Sequence, residues 1–169
     1  MDATTSTPAT PTISFRTIPD ATLYAINHKG PYYGIGKCFQ QVAQIAATQG
    51  VISKGVLAGL FYDNPATTPE SELRSKACFY PSAADLSVKI EDPAISTVTL
   101  RGGEYAVFLH KGPYETLPAG WMYVFKTWRP ASGREVIVDD DHPTMEIYLN
   151  DYTKVASEDL LTELLVALQ

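Results

Sequence analysis

One five-residue block, His28-Lys29-Gly30-Pro31-Tyr32, returns unchanged as His110-Lys111-Gly112-Pro113-Tyr114, 82 residues later. Identity over five consecutive positions is not expected by chance, so the chain reads as two copies of one structural unit. Within the block, glycine permits a tight backbone approach and proline presets φ for a helix entrance. Each copy is therefore a strand-to-helix elbow, and any fold for this chain has to use the same local plan twice.

Taken in order, the chain supplies both copies with matching elements. Residues 1–12 have almost nothing to bury and are expected to form a disordered tail. Alternating residues predict strands at Ile13–Ile18 and Thr22–His28, broken at Pro19-Asp20. After the first elbow, the spacing of Ile35, Phe39, Val42, Ile45 and Ala46 predicts a helix from Tyr33 to Gln49, with Gly50 just past its end. Strands at Val56–Tyr62 and Arg74–Tyr80 complete a first unit, 13–92. The second unit, 93–169, repeats this with strands at Ile95–Leu100 and Tyr105–His110 and a helix from Thr116 that presents Leu117, Trp121, Val124, Phe125 and Trp128 on one face. Pro130 and Gly133 mark the helix exit, and a strand covers Thr144–Asn150. The last segment is ambiguous: Ser157-Glu158-Asp159-Leu160 reads locally as a capped helix, whereas the repeat asks for a strand matching Arg74–Tyr80. The repeat takes precedence, and Glu163–Leu168 is predicted as a strand. The expected fold class is α+β: duplicated β-α-β-β units with pseudo-two-fold symmetry, an antiparallel sheet, two main helices and a central cleft, in a single domain over residues 13–169.

Glu146 is the residue that does not fit its element. It lies in Thr144-Met145-Glu146-Ile147-Tyr148-Leu149-Asn150, an otherwise β-favouring run in which glutamate is depleted. Aligning Leu60-Phe61-Tyr62-Asp63-Asn64 with Glu146-Ile147-Tyr148-Leu149-Asn150, at an offset of 86, makes Leu60 its expected counterpart. Two readings stay open. Glu146 faces water or pairs with an arginine such as Arg74 or Arg101, or it sits in a dry cleft at a desolvation cost of several kcal/mol. In the second case a ligand cation among aromatic rings could supply the missing charge, each cation-π contact contributing about 0.5–2 kcal/mol. Ten Tyr, six Phe and two Trp make such a lining available, and strand alternation puts Tyr148 on the face of Glu146.

Composition excludes other classes. A formal net charge of -6 with scattered Lys and Arg argues against direct nucleic-acid binding. No apolar run reaches the roughly 20 residues of a membrane span, and the N-terminus carries no export signal, so a cytoplasmic protein without membrane contact is expected. Cys38 and Cys78 read as reduced core thiols. His28, His110 and His142 lack metal-ligand spacing, and Asp139-Asp140-Asp141 lacks the alternating ligands and glycine of a calcium loop, so neither metal nor cofactor is expected.

Several blocks carry a family resemblance: Tyr62-Asp63-Asn64-Pro65, Pro69-Glu70, Leu73-Arg74-Ser75, Gly102-Gly103-Glu104-Tyr105-Ala106-Val107-Phe108, Gly112-Pro113-Tyr114-Glu115 and Glu146-Ile147-Tyr148-Leu149-Asn150. In order and spacing they resemble the GyrI-like domain, the effector-binding domain of multidrug-responsive regulators and of the DNA gyrase inhibitory protein, across Ile13 to Leu168. The resemblance implies a cleft between the two halves and an acid in the late strand that binds lipophilic cations. Glu146 matches that acid, and the resemblance directs Tyr33 and Trp121 toward the cleft beside Tyr148. Lys76, Arg129 and Arg134 depart from the family pattern and bear on the ligand rather than the fold. Three functions follow as expectations. The first is a binder of amphipathic, aromatic or cationic small molecules for drug or toxin sensing or sequestration. The second is a hydrolase of strained electrophiles such as cyclopropanoid genotoxins, with Glu146 catalytic in orienting or activating water. The third is a protein-interaction module that contacts DNA gyrase.

Overall fold

A computed structural model describes residues 11–82 and 87–169. Most of the expected tail, residues 1–10, lies outside the described residues, and Thr12 already belongs to the first strand. The first unit comprises β1 (Thr12–Ile18), β2 (Ala21–Lys29), α1 (Gly36–Thr48), β3 (Gly55–Phe61) and β4 (Arg74–Pro81). The second comprises β5 (Ser96–Leu100), β6 (Gly103–Lys111), α2 (Leu117–Met122), a π-helical stretch (Tyr123–Trp128), α3 (Arg129–Ser132), β7 (Val136–Ile137), β8 (Thr144–Tyr148) and β9 (Leu161–Leu168). Both elbows first make a short 3-10 turn, Tyr32–Gly34 and Tyr114–Thr116, and Gly30 and Gly112 hold φ of 120° and 138°, a region that L side chains avoid.

All the strands join one antiparallel sheet in the order β1-β6-β9-β8-β3-β4-β2-β5, with β7 added on β9. The order explains the breaks at Pro19-Asp20 and Arg101-Gly102. β1 continues into β2 but pairs with β6, and β5 continues into β6 but pairs with β2. The two ends of the sheet are thereby drawn together, and the Gly102 N–H donates to Asp20 Oδ1 at 2.6 Å where the breaks meet.

Strand alternation sorts the core into two faces. One face, shared by both units, buries Leu23, Ala25, Ala58, Leu60, Cys78, Tyr105, Val107, Met145, Ile147, Leu165 and Ala167. The other face carries two separate cores. Under α1, Tyr24, Ile26, Ala77 and Phe79 meet Ile35, Val42 and Ala46. Under α2 and its continuation, Ala106, Phe108, Leu164 and Val166 meet Leu117, Val124 and Trp128. The seam between these helix-covered cores runs over the β3–β8 pair.

The second helix exits at Gly133 as expected, with Pro130 inside its last turn rather than beyond it. Pro130 sits inside α3 directly after a π-wound turn, and the helix stops at Gly133, where φ is 66°. Proline cannot supply the i→i−4 bond, and a widened π turn precedes it. The C-terminal segment is a strand, as the repeat requires. Its capped-helix signal amounts to one 3-10 turn, Ser157–Asp159, because Leu164 to Leu168 are buried alternately in the two facing cores.

The hydrogen bonds correct the alignment of the copies. Asp63 Oδ2 accepts the Arg74 N–H, and Asn150 Oδ1 accepts the Leu161 N–H. The Gly30 N–H donates to the Leu73 carbonyl, and the Gly112 N–H to the Leu160 carbonyl. Tyr62 N–H donates to the Arg74 carbonyl, and Leu149 N–H to that of Leu161. The strands after the helix, β3 and β4 against β8 and β9, are therefore matched at an offset of 87, not 86. Leu60 corresponds to Ile147, both on the shared core face, and the counterpart of Glu146 is Gly59.

Candidate functional site

Glu146 lies on the helix-covered face of β8, directly opposite Gly59 of β3, at the seam between the two units. It is 6% exposed, and among the described residues no basic side chain pairs with it. The alternatives of a water-facing glutamate or an arginine partner are thus not what the fold provides. Arg74 instead holds Asp63 and Asp140 with its guanidinium. Two neutral donors hold the Glu146 carboxylate: Trp121 Nε1–H reaches Oε2 at 2.7 Å, and the Tyr148 hydroxyl reaches Oε1 at 2.7 Å.

The corrected alignment shows how this arrangement differs from its counterpart in the first unit. The helices retain the offset of 82, so that buried Val42 and Ala46 match Val124 and Trp128. At this offset Phe39 is the counterpart of Trp121, and at 87 Phe61 is the counterpart of Tyr148. The first unit therefore presents Gly, Phe and Phe where the second presents Glu, Trp and Tyr. Every change adds polarity. The two rings that carry a donor in the second unit are the two that bond its carboxylate.

Around this core the rings interlock. Phe39 of α1 meets Tyr148 edge-on at 5.2 Å, Tyr114 meets Tyr148 at 5.6 Å and Tyr152 at 6.5 Å, and Trp121 stacks on Phe125 at 5.9 Å. The first copy repeats the Tyr114–Tyr148 contact as Tyr32–Phe61, at 5.0 Å. Glu146, Tyr148 and Trp121 come together. Tyr33 lies apart from them, 85% exposed in the turn before α1, and among the described residues no ring contact joins it to them. Phe39 and Tyr114 belong to the ring cluster and escaped the sequence reading, although both were accessible through the repeat: Phe39 as the match of Trp121, Tyr114 as the last residue of the duplicated block.

Burial pushes the Glu146 carboxyl above the ordinary glutamate range, and the bonds from Trp121 and Tyr148 pull only part of the way back. The Tyr148 hydroxyl is driven well above its usual value by burial and the adjacent carboxylate, so it stays a donor. A hydrogen bond to a charged group contributes about 1.5–3 kcal/mol, so the pair offsets much, not all, of the cost of burying the ion. When ionised, Glu146 is a negative charge with no basic partner among the described residues, set in a ring-lined seam, an arrangement that gains most from an added cation. The histidines serve elsewhere: His28 Nε2 meets the Pro31 carbonyl, His110 Nε2 meets Thr116 Oγ1, and His142 Nδ1 meets Asp139. Both cysteines are free, and burial pushes the Cys78 thiol up to about 12.

Comparison with known proteins gives the family and the fold. The family model for the GyrI-like small molecule binding domain matches residues 11–169. This chain belongs to the GyrI-like family. A curated relative, the DNA gyrase inhibitor of Edwardsiella piscicida, is 28% identical over 130 residues, covering 76% of this chain and 81% of the relative. Among solved structures, EcmrR in its DNA complex superposes with a TM-score of 0.74 at 14% identity, covering 94% of this chain; the GyrI-like chain spans 57% of the EcmrR chain. SAV2435, solved bound to tetraphenylphosphonium, superposes with a TM-score of 0.57 at 16% identity, covering 94% of each chain. At these identities the structural matches establish the GyrI-like fold. Among the described residues, no helix is long and apolar enough to cross a membrane.

Proposed function

We propose that this GyrI-like domain binds lipophilic aromatic cations between its two units, with the positive charge at Glu146 and the rings of Trp121, Tyr148, Phe39 and Tyr114 around it. The observation that carries the reading is the buried carboxylate held by two neutral donors and, among the described residues, by no basic side chain. A permanent ligand cation removes the remaining cost of that charge, whereas an anionic or neutral ligand leaves it in place. A fold neighbour bound to tetraphenylphosphonium adds support from outside the chain. Binding is favoured over water activation because both carboxylate oxygens are already engaged by donors that fix the charge in place.

Titration with tetraphenylphosphonium, followed by calorimetry, tests the reading. Wild type is expected to bind, and Glu146→Gln, which keeps the shape and removes the charge, to bind at least tenfold more weakly. Equal affinities for the two proteins would refute charge matching at Glu146. Wild type releasing a water-added product from a strained electrophile, with Glu146→Gln inactive, would favour the hydrolase instead.

A further inference from the structure

Gly59 stands in the middle of β3 between Ala58 and Leu60, both fully buried. A glycine inside a strand weakens it and often marks a close approach by another group. Its backbone lies outside the left-handed region, so conformation does not call for glycine here. Space does. A Cβ at Gly59 would meet Phe61 Cε2 at 2.8 Å, Phe61 Cζ at 2.9 Å and Tyr148 Oη at 3.1 Å. Phe61 leans back along its own strand over the glycine, as Tyr148 leans back over Glu146 in the second copy. Phe61 is only partly buried, and its ring is held edge-on by Tyr32 at 5.0 Å.

The Gly59 backbone is thus a buried patch of sheet covered by the edge atoms of the Phe61 ring and by the Tyr148 hydroxyl, opposite Glu146 on the paired strand. Paired residues of adjacent antiparallel strands have Cα atoms about 4.5–5.5 Å apart. A ring on Gly59 and a charge at Glu146 are therefore within the reach of one small ligand whose cationic centre is part of the ring system.

We infer that Gly59 is a specificity-determining residue: its missing side chain forms a notch that receives a planar aromatic ring of the ligand, and Phe61 occupies that notch until the ligand displaces it. This rests on the proposed binding of cations at Glu146 and assigns them a class, planar aromatic cations with the charge in or beside the ring. Glycine supplies the floor and the selectivity for flat groups, and Glu146 supplies the selectivity for charge.

The test measures two monocations by calorimetry, ethidium, which is planar, and tetrabutylammonium, which has no ring, against wild type, Gly59→Ala, Phe61→Ala and Glu146→Gln. Gly59→Ala is expected to weaken ethidium at least tenfold more than it weakens tetrabutylammonium. Phe61→Ala, which empties the notch, is expected to strengthen ethidium at least fivefold relative to tetrabutylammonium. If Gly59→Ala fails to fold in a thermal melt, the Phe61→Ala ratio decides alone. Both variants changing the two probes by the same factor, or changing neither, would overturn the notch while leaving the charge reading intact provided Glu146→Gln still loses both probes. Glu146→Gln retaining both would remove the charge reading, and a notch selective for ethidium would then stand as a neutral ring site. Wild type binding neither probe would overturn both.

Discussion

Replacing Glu146 by glutamine should make the protein more stable at neutral pH even as it removes ligand affinity. Burying an ion costs several kcal/mol after relaxation, and the bonds from Trp121 and Tyr148 return about 1.5–3 kcal/mol each. Burial outweighs those bonds in its effect on the Glu146 carboxyl, so the charge remains a net cost to the folded state. Glutamine keeps an acceptor for the Trp121 N–H and offers Tyr148 a donor in place of a second acceptor. For a chain of this size each kcal/mol moves Tm by about 2–4 °C, so relief of that cost should raise the melting temperature of Glu146→Gln above wild type by about 2–4 °C per kcal/mol relieved. The unfolded chain titrates glutamate at about 4.3, and the folded chain titrates Glu146 at a higher pH. Between those values the folded state holds the extra proton, so wild-type stability declines as pH rises through this window and the whole cost is present above it. Below the window Glu146 is neutral in both states, and the gap between the two proteins should close. Calorimetric melts from pH 4 to pH 8 read both features. A glutamine variant that melts below wild type at pH 8, or a gap that widens toward acid, would refute the reasoning.

Two further outcomes follow from the same geometry. Tyr148→Phe and Trp121→Phe restore the first-unit residue at each position, and each should weaken the charged form of Glu146 by about 1.5–3 kcal/mol, seen as an upward shift of the Glu146 titration by NMR. Loss of both donors without any change in that titration would contradict the bonds. Leu60→Glu should destabilise severely, by about 3–5 kcal/mol or more, because Leu60 is fully buried on the shared core face rather than in the seam. A well-folded Leu60→Glu protein by circular dichroism would contradict the offset of 87.

Much of the fold was legible because the duplicated block marks both elbows, and because the elements around it keep their periodicity. The C-terminal strand is the clearest case: local capping chemistry pointed to a helix, and only the repeat, which asked for a strand to match Arg74–Tyr80, called for a strand. The off-by-one counterpart of Glu146 has a physical cause. Matching identical letters aligned Tyr62 with Tyr148 and Asn64 with Asn150, but Asp63 and Asn150 perform the same task, each accepting the N–H that opens the following strand. A carboxylate and an amide oxygen are interchangeable for that bond, and letter identity cannot register it. Tyr33 went to the surface for a reason the repeat also contained, since its match at offset 82 is Glu115, and both sit exposed in the elbow turn. The notch at Gly59 was invisible from composition, because a glycine's space is filled by a ring two residues along the same strand.

The central claim is that the seam selects for positive charge. Tetraphenylphosphonium and tetraphenylborate have nearly the same size and shape and carry opposite charges, so their affinities for wild-type protein, measured side by side by calorimetry at pH 8, isolate that selection. The account predicts binding of the phosphonium and at least a hundredfold weaker binding of the borate, with the preference falling to within a few-fold in Glu146→Gln. Equal binding of the two ions by wild type would contradict it.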